Sequence, residues 1–247
     1  MLRKIINGIS FIAVLVAAMS FIPPANTKLT IRFHNYAGES PLIFDSISYK
    51  NQLGQPYRVT MFKYYVGNFH FKNSEGGEYI SKGYFLINQE EQGSTQISID
   101  NIPTGMYSTI SFTLGVDSID NCSGAQAAAL DPVNGMFWAW NSGYIFLKME
   151  GISPASNSTG RRLEFHIGGY KEPNNCIKII QLTLKHSINI GETTNEVIDI
   201  KADINHLFSS PNPVDFSKIS SVTDFHNARA VANNYSTMFS VVEVAKN

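Results

Sequence analysis

Alternation with a period of two runs through most of this chain and leaves few folds open to it. In "KLTIRFHN", Leu29, Ile31 and Phe33 fall on one face of an extended strand, and Thr30, Arg32 and His34 on the other. "YIFLKMEG", "RLEFHIGG", "IKIIQLTLKHSINI" and "NEVIDIKADINHLF" continue the pattern, and "TQISIDNIPTGMYSTISFTLGV" reads as two strands around a turn at Pro103 to Gly105. Strands of this kind bury one face and wet the other. Gly, Pro, Asn and Ser clusters bound them, as the turns of a sandwich require. The expectation is an all-β chain: an antiparallel β-sandwich or open barrel in a single domain. One late segment, "TDFHNARAVANNYSTMF", departs from the alternation and predicts a short C-terminal helix of about three turns, capped by Asp224. No internal repeat, charge block or low-complexity linker divides the chain.

The first residues follow a different rule. Arg3 and Lys4 precede an apolar run from Phe11 to Ala18, and Ala18-Met19-Ser20 supplies small residues for cleavage. That is the pattern of a secretory signal, residues 1–20, with residues 21–247 as the β domain. Asn7, Gly8 and Ser10 keep the run from extending toward the N-terminus, and it falls short of the roughly 20 residues a span needs. The chain is therefore expected to be exported, to a periplasm or the extracellular space. In an oxidising compartment its two cysteines, Cys122 and Cys176, predict a disulfide. A formal net charge of −1 excludes a phosphate backbone as partner, since nucleic-acid binders need a basic surface to release counterions.

Residues 116–135 form a loop of about twenty residues with no convincing strand, broken by short helical turns. Asp117, Asp120 and Asp131 in it could hold calcium or cap turns, and the "DSID" spacing matches no EF-hand. The loop runs into "GMFWAWNSGY", which holds both tryptophans of the chain, Trp138 and Trp140. If this stretch is extended, Met136, Trp138, Trp140 and Ser142 share a face. Two readings stay open: a stacked aromatic patch in the core, or a chemical site. Among six histidines, His34, His70 and His166 each follow a phenylalanine, in "RFHN", "NFHF" and "EFHI". The aromatic belongs to the apolar face, so each imidazole points the other way. Imidazole suits copper, and thioether favours its cuprous state, but no HxH or HxxH spacing exists. A metal site would have to be assembled by the fold. No GxSxG motif or cysteine–base pair is present, and the chain is read as not an enzyme.

"FTLGVDS", "LDPVNGMFWAWNSGYIFLKMEG", "FHIGGY" and "ANNYSTMFSVVEV", with "FHNYAGESPL" and "VTMFKYYVGNFHF" earlier, resemble the MbnP-like copper-binding proteins over essentially the whole mature chain. The resemblance implies an exported protein that binds one copper(I) per chain for storage or delivery. It implies a partner di-haem MauG-like peroxidase that oxidises Trp138 or Trp140 to kynurenine, and a copper-handling membrane protein as a further partner. It places metal ligands at His34 and His166, with His226 or Met238 as a third; His70 reads as part of an ordinary strand. The alternative is a ligand- or carbohydrate-binding module that uses the tryptophan pair as a stacking platform.

Overall fold

The computed structural model describes residues 27–138, 143–191, 195–224 and 227–246. Its principal strands are β1 (Lys28–Ala37), β2 (Pro56–Asn73), β3 (Glu78–Asn88), β4 (Gln96–Asp100), β5 (Gly105–Leu114), β6 (Gly143–Ile152), β7 (Arg162–Gly168), β8 (Lys178–Ile190), β9 (Asn195–Asp203) and β10 (Phe239–Lys246). Two short helices, α1 (Ser118–Cys122) and α2 (Ala228–Tyr235), complete it. The alternation read from the sequence is realised on β1, where Leu29, Ile31 and Phe33 are buried and His34 is exposed.

The strands form two sheets. One runs β10–β9–β1, with β4 and the short piece Ser40–Pro41 on the far edge of β1. The other runs β8–β5–β2–β6–β7 and ends on Ser221–Val222, with β3 on β2. Their apolar faces meet in an aromatic core. Phe33 of the first sheet lies 5.9 Å from Phe112 and 6.1 Å from Tyr64 of the second, edge to face. Phe112 in turn meets Phe239 of β10 at 5.2 Å. This is a β-sandwich of one domain, with no closed barrel.

The sheets are mixed, which alternation alone does not reveal. β1 pairs with β9 in parallel, and β7 with Ser221–Val222 likewise. The turn at Pro103–Gly105 is present but makes no hairpin: β4 pairs with β1, whereas β5 pairs with β2 and β8, so the chain crosses between sheets there. The C-terminal helix is shorter than expected. It starts at Ala228 after Asn227, so Asp224 does not cap it. Among the described residues no helix is long and apolar enough to cross a membrane.

The expected disulfide is not formed, and both thiols are free. Cys122, at the end of α1, is exposed and its sulfur lies 3.4 Å from the Tyr170 hydroxyl. Cys176 is fully buried, with Tyr235 of α2 donating to its carbonyl. One side chain faces out and the other in.

Candidate functional site

Phe137 and Trp138 form a two-residue strand that pairs with Tyr144 and Gly143 at the start of β6. The approach is set by Gly135, whose φ of +70° ends a single 3-10 turn at Pro132–Asn134 and is a conformation that favours glycine. Met136 and Trp138 then both turn inward, at 0% and 6% exposure. Room for the indole comes from the end of β7. A Cβ on Gly168 would stand 2.7 Å from Trp138 Cζ3 and 2.6 Å from the Tyr144 carbonyl oxygen. Only glycine leaves that space, so the "WxW" and "FHIGG" segments meet as indole on backbone. Trp140 lies outside the described residues.

The long loop is stitched beneath this contact. Asn121 accepts from the Tyr144 amide at 3.0 Å and donates to the carbonyls of Val116 and Asp117. The Tyr144 hydroxyl donates to Leu130, and that of Tyr65 to Ala129, at 2.8 and 2.9 Å. Their rings meet edge to face at 5.9 Å, and Phe137 packs on Tyr144 at 5.0 Å. Burial pushes both phenols above their ordinary range, so they stay neutral. Two of the loop's three aspartates serve its turns. Asp117 accepts from the Ile119 and Asp120 amides, and Asp131 from the Val133 amide. Among the described residues no three His, Cys, Asp or Glu side chains converge to hold a metal.

His166 stands two residues before Gly168. Phe165 and Ile167 are buried, so its imidazole projects from the outer face of β7. There Nε2 is 2.8 Å from Glu150 Oε1 on the neighbouring β6, and Lys148 Nζ is 3.5 Å from the same oxygen. Burial pushes the imidazole pKa down more than the bond to Glu150 raises it. A neutral ring results. Its Nε2–H donates to Glu150 and its Nδ1 keeps a lone pair, the orientation that carboxylates impose on metal-ligating histidines.

His34 has the same kind of neighbour. Its Nε2 is 2.5 Å from Asp199 Oδ1 on β9, but Arg32 already grips that carboxylate with two bonds of 2.7 Å. Burial pushes the Asp199 carboxyl up, yet the bonds from Arg32 and His34 outweigh it and hold the pKa below the usual range. His34 and His166 are not brought together: they project outward from different sheets, with the core between them. Met238, offered as a third ligand, is buried at 1% exposure behind α2. His226 lies outside the described residues. His70 pairs with Glu78 at 3.0 Å on the surface.

Comparison with known proteins decides what the arrangement belongs to. The family model described as MbnP matches residues 26–227. The chain belongs to the MbnP family. Its fold is similar to that of MbnP from Methylosinus trichosporium, with a TM-score of 0.54 at 16% identity over 90% of this chain and 99% of that one. No curated protein sequence matches it. Membership of the MbnP family suggests a methanobactin-related copper protein.

Two residues that matter here were missed by sequence reasoning. The role of Gly168 was hidden inside the "FHIGG" segment, although paired glycines closing a strand signal a close backbone approach. Glu150 was missed because cross-strand partners depend on register. Glu164 faces Glu150 directly, and His166, paired with Lys148, reaches it on the diagonal.

Proposed function

We propose that this MbnP-family chain is an exported copper(I)-binding protein, for storage or delivery, and not an enzyme. Its site is built around His166 and the tryptophan segment at the end of β7. One observation carries the reading: the Trp138 ring lies on Gly168 of the strand that presents His166. A neutral imidazole with Nδ1 available suits a cuprous ion, and one such ligand is too few. Oxidation of an indole supplies more. Cleavage of the C2–C3 bond adds two oxygen atoms and gives N-formylkynurenine, and hydrolysis then releases formate to leave kynurenine with an aniline nitrogen and a ketone. Two equivalents of peroxide, used by a partner di-haem peroxidase and reduced to water, balance the two oxygen atoms. Trp138 and Trp140 are the two candidates. His34 stands apart from this site, on the other sheet with its carboxylate committed to Arg32. The stacking-platform alternative loses support at Trp138, which is buried and has its ring against backbone.

Peptide mass spectrometry of residues 131–148 from the native host tests the modification. A net gain of one oxygen and loss of one carbon on either tryptophan is expected, and unmodified tryptophan in copper-loaded protein would overturn it. For the metal, competition against a cuprous chelator is expected to show one ion per chain. Affinity should fall roughly a hundredfold in His166→Ala, at or beyond the upper end of losses seen when a ligand's supporting contact is removed, and stay unchanged in His34→Ala. The reverse order would move the site to the other sheet.

A further inference from the structure

The opposite end of β6 and β7 carries a second, unrelated feature. Gly143 and Ile152 are the two ends of β6, about 30 Å apart at ~3.3 Å per residue. Beyond Ile152 the turn to Arg161 folds back, with the Ser153 amide donating to the Arg161 carbonyl at 2.9 Å. A cavity of about 380 Å³ opens there, lined by Tyr57, Arg58, Ile152, Ser153, Pro154 and Arg161 among others. That volume is within the range of small-molecule sites, roughly 300–1,000 Å³. Its floor is rigid. The Tyr57 ring, 1% exposed, is packed by Tyr49, Phe208 and Phe216 with centroids 5.3–5.8 Å away, and its hydroxyl is bonded to the Asn205 side chain at 2.7 Å.

Two guanidinium groups stand at this cavity with no acid to answer them. Arg58 donates to the Asp45 carbonyl at 3.3 Å, and Arg161 to the Ser156 carbonyl at 2.7 Å. Among the described residues neither has a carboxylate within ion-pair distance, whereas Arg32 and Arg229 each have one. Each bond to a carbonyl steadies a fork and leaves most of its five N–H donors unused. Arg161 is also held at φ +58°, directly after Gly160 at +71°. Left-handed backbone disfavours a side chain, so local structure alone would favour glycine at 161 as well. Strain of this kind gathers where a side chain is needed for something else.

The donors fix the charge of the ligand and the wall fixes its body. A guanidinium fork matches the geometry of a carboxylate, two of them line this cavity, and Ile152 and Pro154 offer apolar surface in the same lining. We propose that this cavity binds a small organic carboxylate, its charge held by Arg58 and Arg161 and its apolar part against Ile152 and Pro154. The site is independent of the copper reading.

The full chain is titrated with 3-phenylpropionate while the arginine Nε–Hε resonances are followed by NMR. 3-Phenylpropanol, phenyl phosphate and inorganic phosphate serve as comparisons. Saturable shifts at Arg58 and Arg161 are expected with the carboxylate, and at least about tenfold weaker binding with the alcohol, the scale of a lost charge-assisted bond. Arg161→Gly removes the guanidinium while suiting the backbone, so the chain folds and binding is expected to fall by at least the same factor; Arg58→Gln should do likewise. Arg162→Gln, an exposed neighbour that does not line the cavity, should keep binding. Equal binding of acid and alcohol, no saturation by about 10 mM, or equal loss in Arg162→Gln would overturn the site. Phenyl phosphate or inorganic phosphate binding as tightly as the carboxylate would overturn the ligand class.

Discussion

His34 and His166 both follow a phenylalanine, project from the outer face of a strand, and meet a carboxylate through Nε2, at 2.5 and 2.8 Å. The resemblance ends at the next neighbour. Asp199 is already gripped by the Arg32 fork, and the His34 side chain is 45% exposed, so that triad is an electrostatic clamp joining β1 to β9. Glu150 shares its charge with Lys148, the His166 side chain is 17% exposed, and an indole lies at the strand's end. What separates a clamp from a candidate metal site here is the partner of the carboxylate and the depth of the ring. The imidazole itself is common to both.

The sharpest way to break this contrast is Gly168→Val. The added carbons would meet a backbone carbonyl and the Trp138 ring, and the carbonyl cannot swing aside. A loss of about 3 kcal/mol is expected, the upper range for overpacking, read from urea midpoints, with a changed tryptophan emission. Unchanged stability and emission would mean that Trp138 does not rest on β7. Next in size is Asp199→Ala, which strands Arg32 and His34. Both partners are over a third exposed, so solvent screens the loss to about 1–2 kcal/mol. Glu150→Ala should cost roughly 1 kcal/mol or less, because the ring it releases is neutral and Lys148 keeps its bond to the Gly135 carbonyl. Equal costs would erase the distinction between clamp and site.

Acid should separate the two regions in order. The folded pKa of His166 is lowered, so the unfolded chain takes up that proton first. Wild-type stability relative to His166→Gln is therefore present above about pH 6.5 and lost as pH falls through the lowered folded value. Asp199, also lowered, contributes stability that is present above about pH 4 and is lost only as pH falls further, through its own folded value. Denaturation curves of wild type, His166→Gln and Asp199→Asn across this range check the order. A His166→Gln deficit that stays constant down to about pH 5 would contradict a buried neutral imidazole. The smallest effect concerns the thiols. Alkylation of native protein should add one group, at exposed Cys122, because Cys176 is buried with its pKa pushed up to about 12. Two groups should add after unfolding, and none before reduction would reinstate the disulfide.

The period-two pattern made the strands legible because it records which face is buried, as Leu29, Ile31 and Phe33 show. It says nothing about which strand lies beside which. The parallel pairing of β1 with β9, the crossing of the chain at Pro103–Gly105 and the separation of His34 from His166 all depend on that missing information. The tryptophan segment and His166 were legible as motifs, and the meeting point at Gly168 was not, since a glycine's use lies in what occupies the space beside it. The disulfide failed for a related reason: an even cysteine count fixes neither direction nor depth, and Cys176 faces inward.

The bond between Arg32 and Asp199 spans 167 residues of sequence. The strand at the start of the described chain cannot find its parallel neighbour until nearly all the rest has been delivered. Pairings this remote close slowly. Until then β1 can be held along one edge only, by β4 and Ser40–Pro41, and its other edge stays open for the last strands to close.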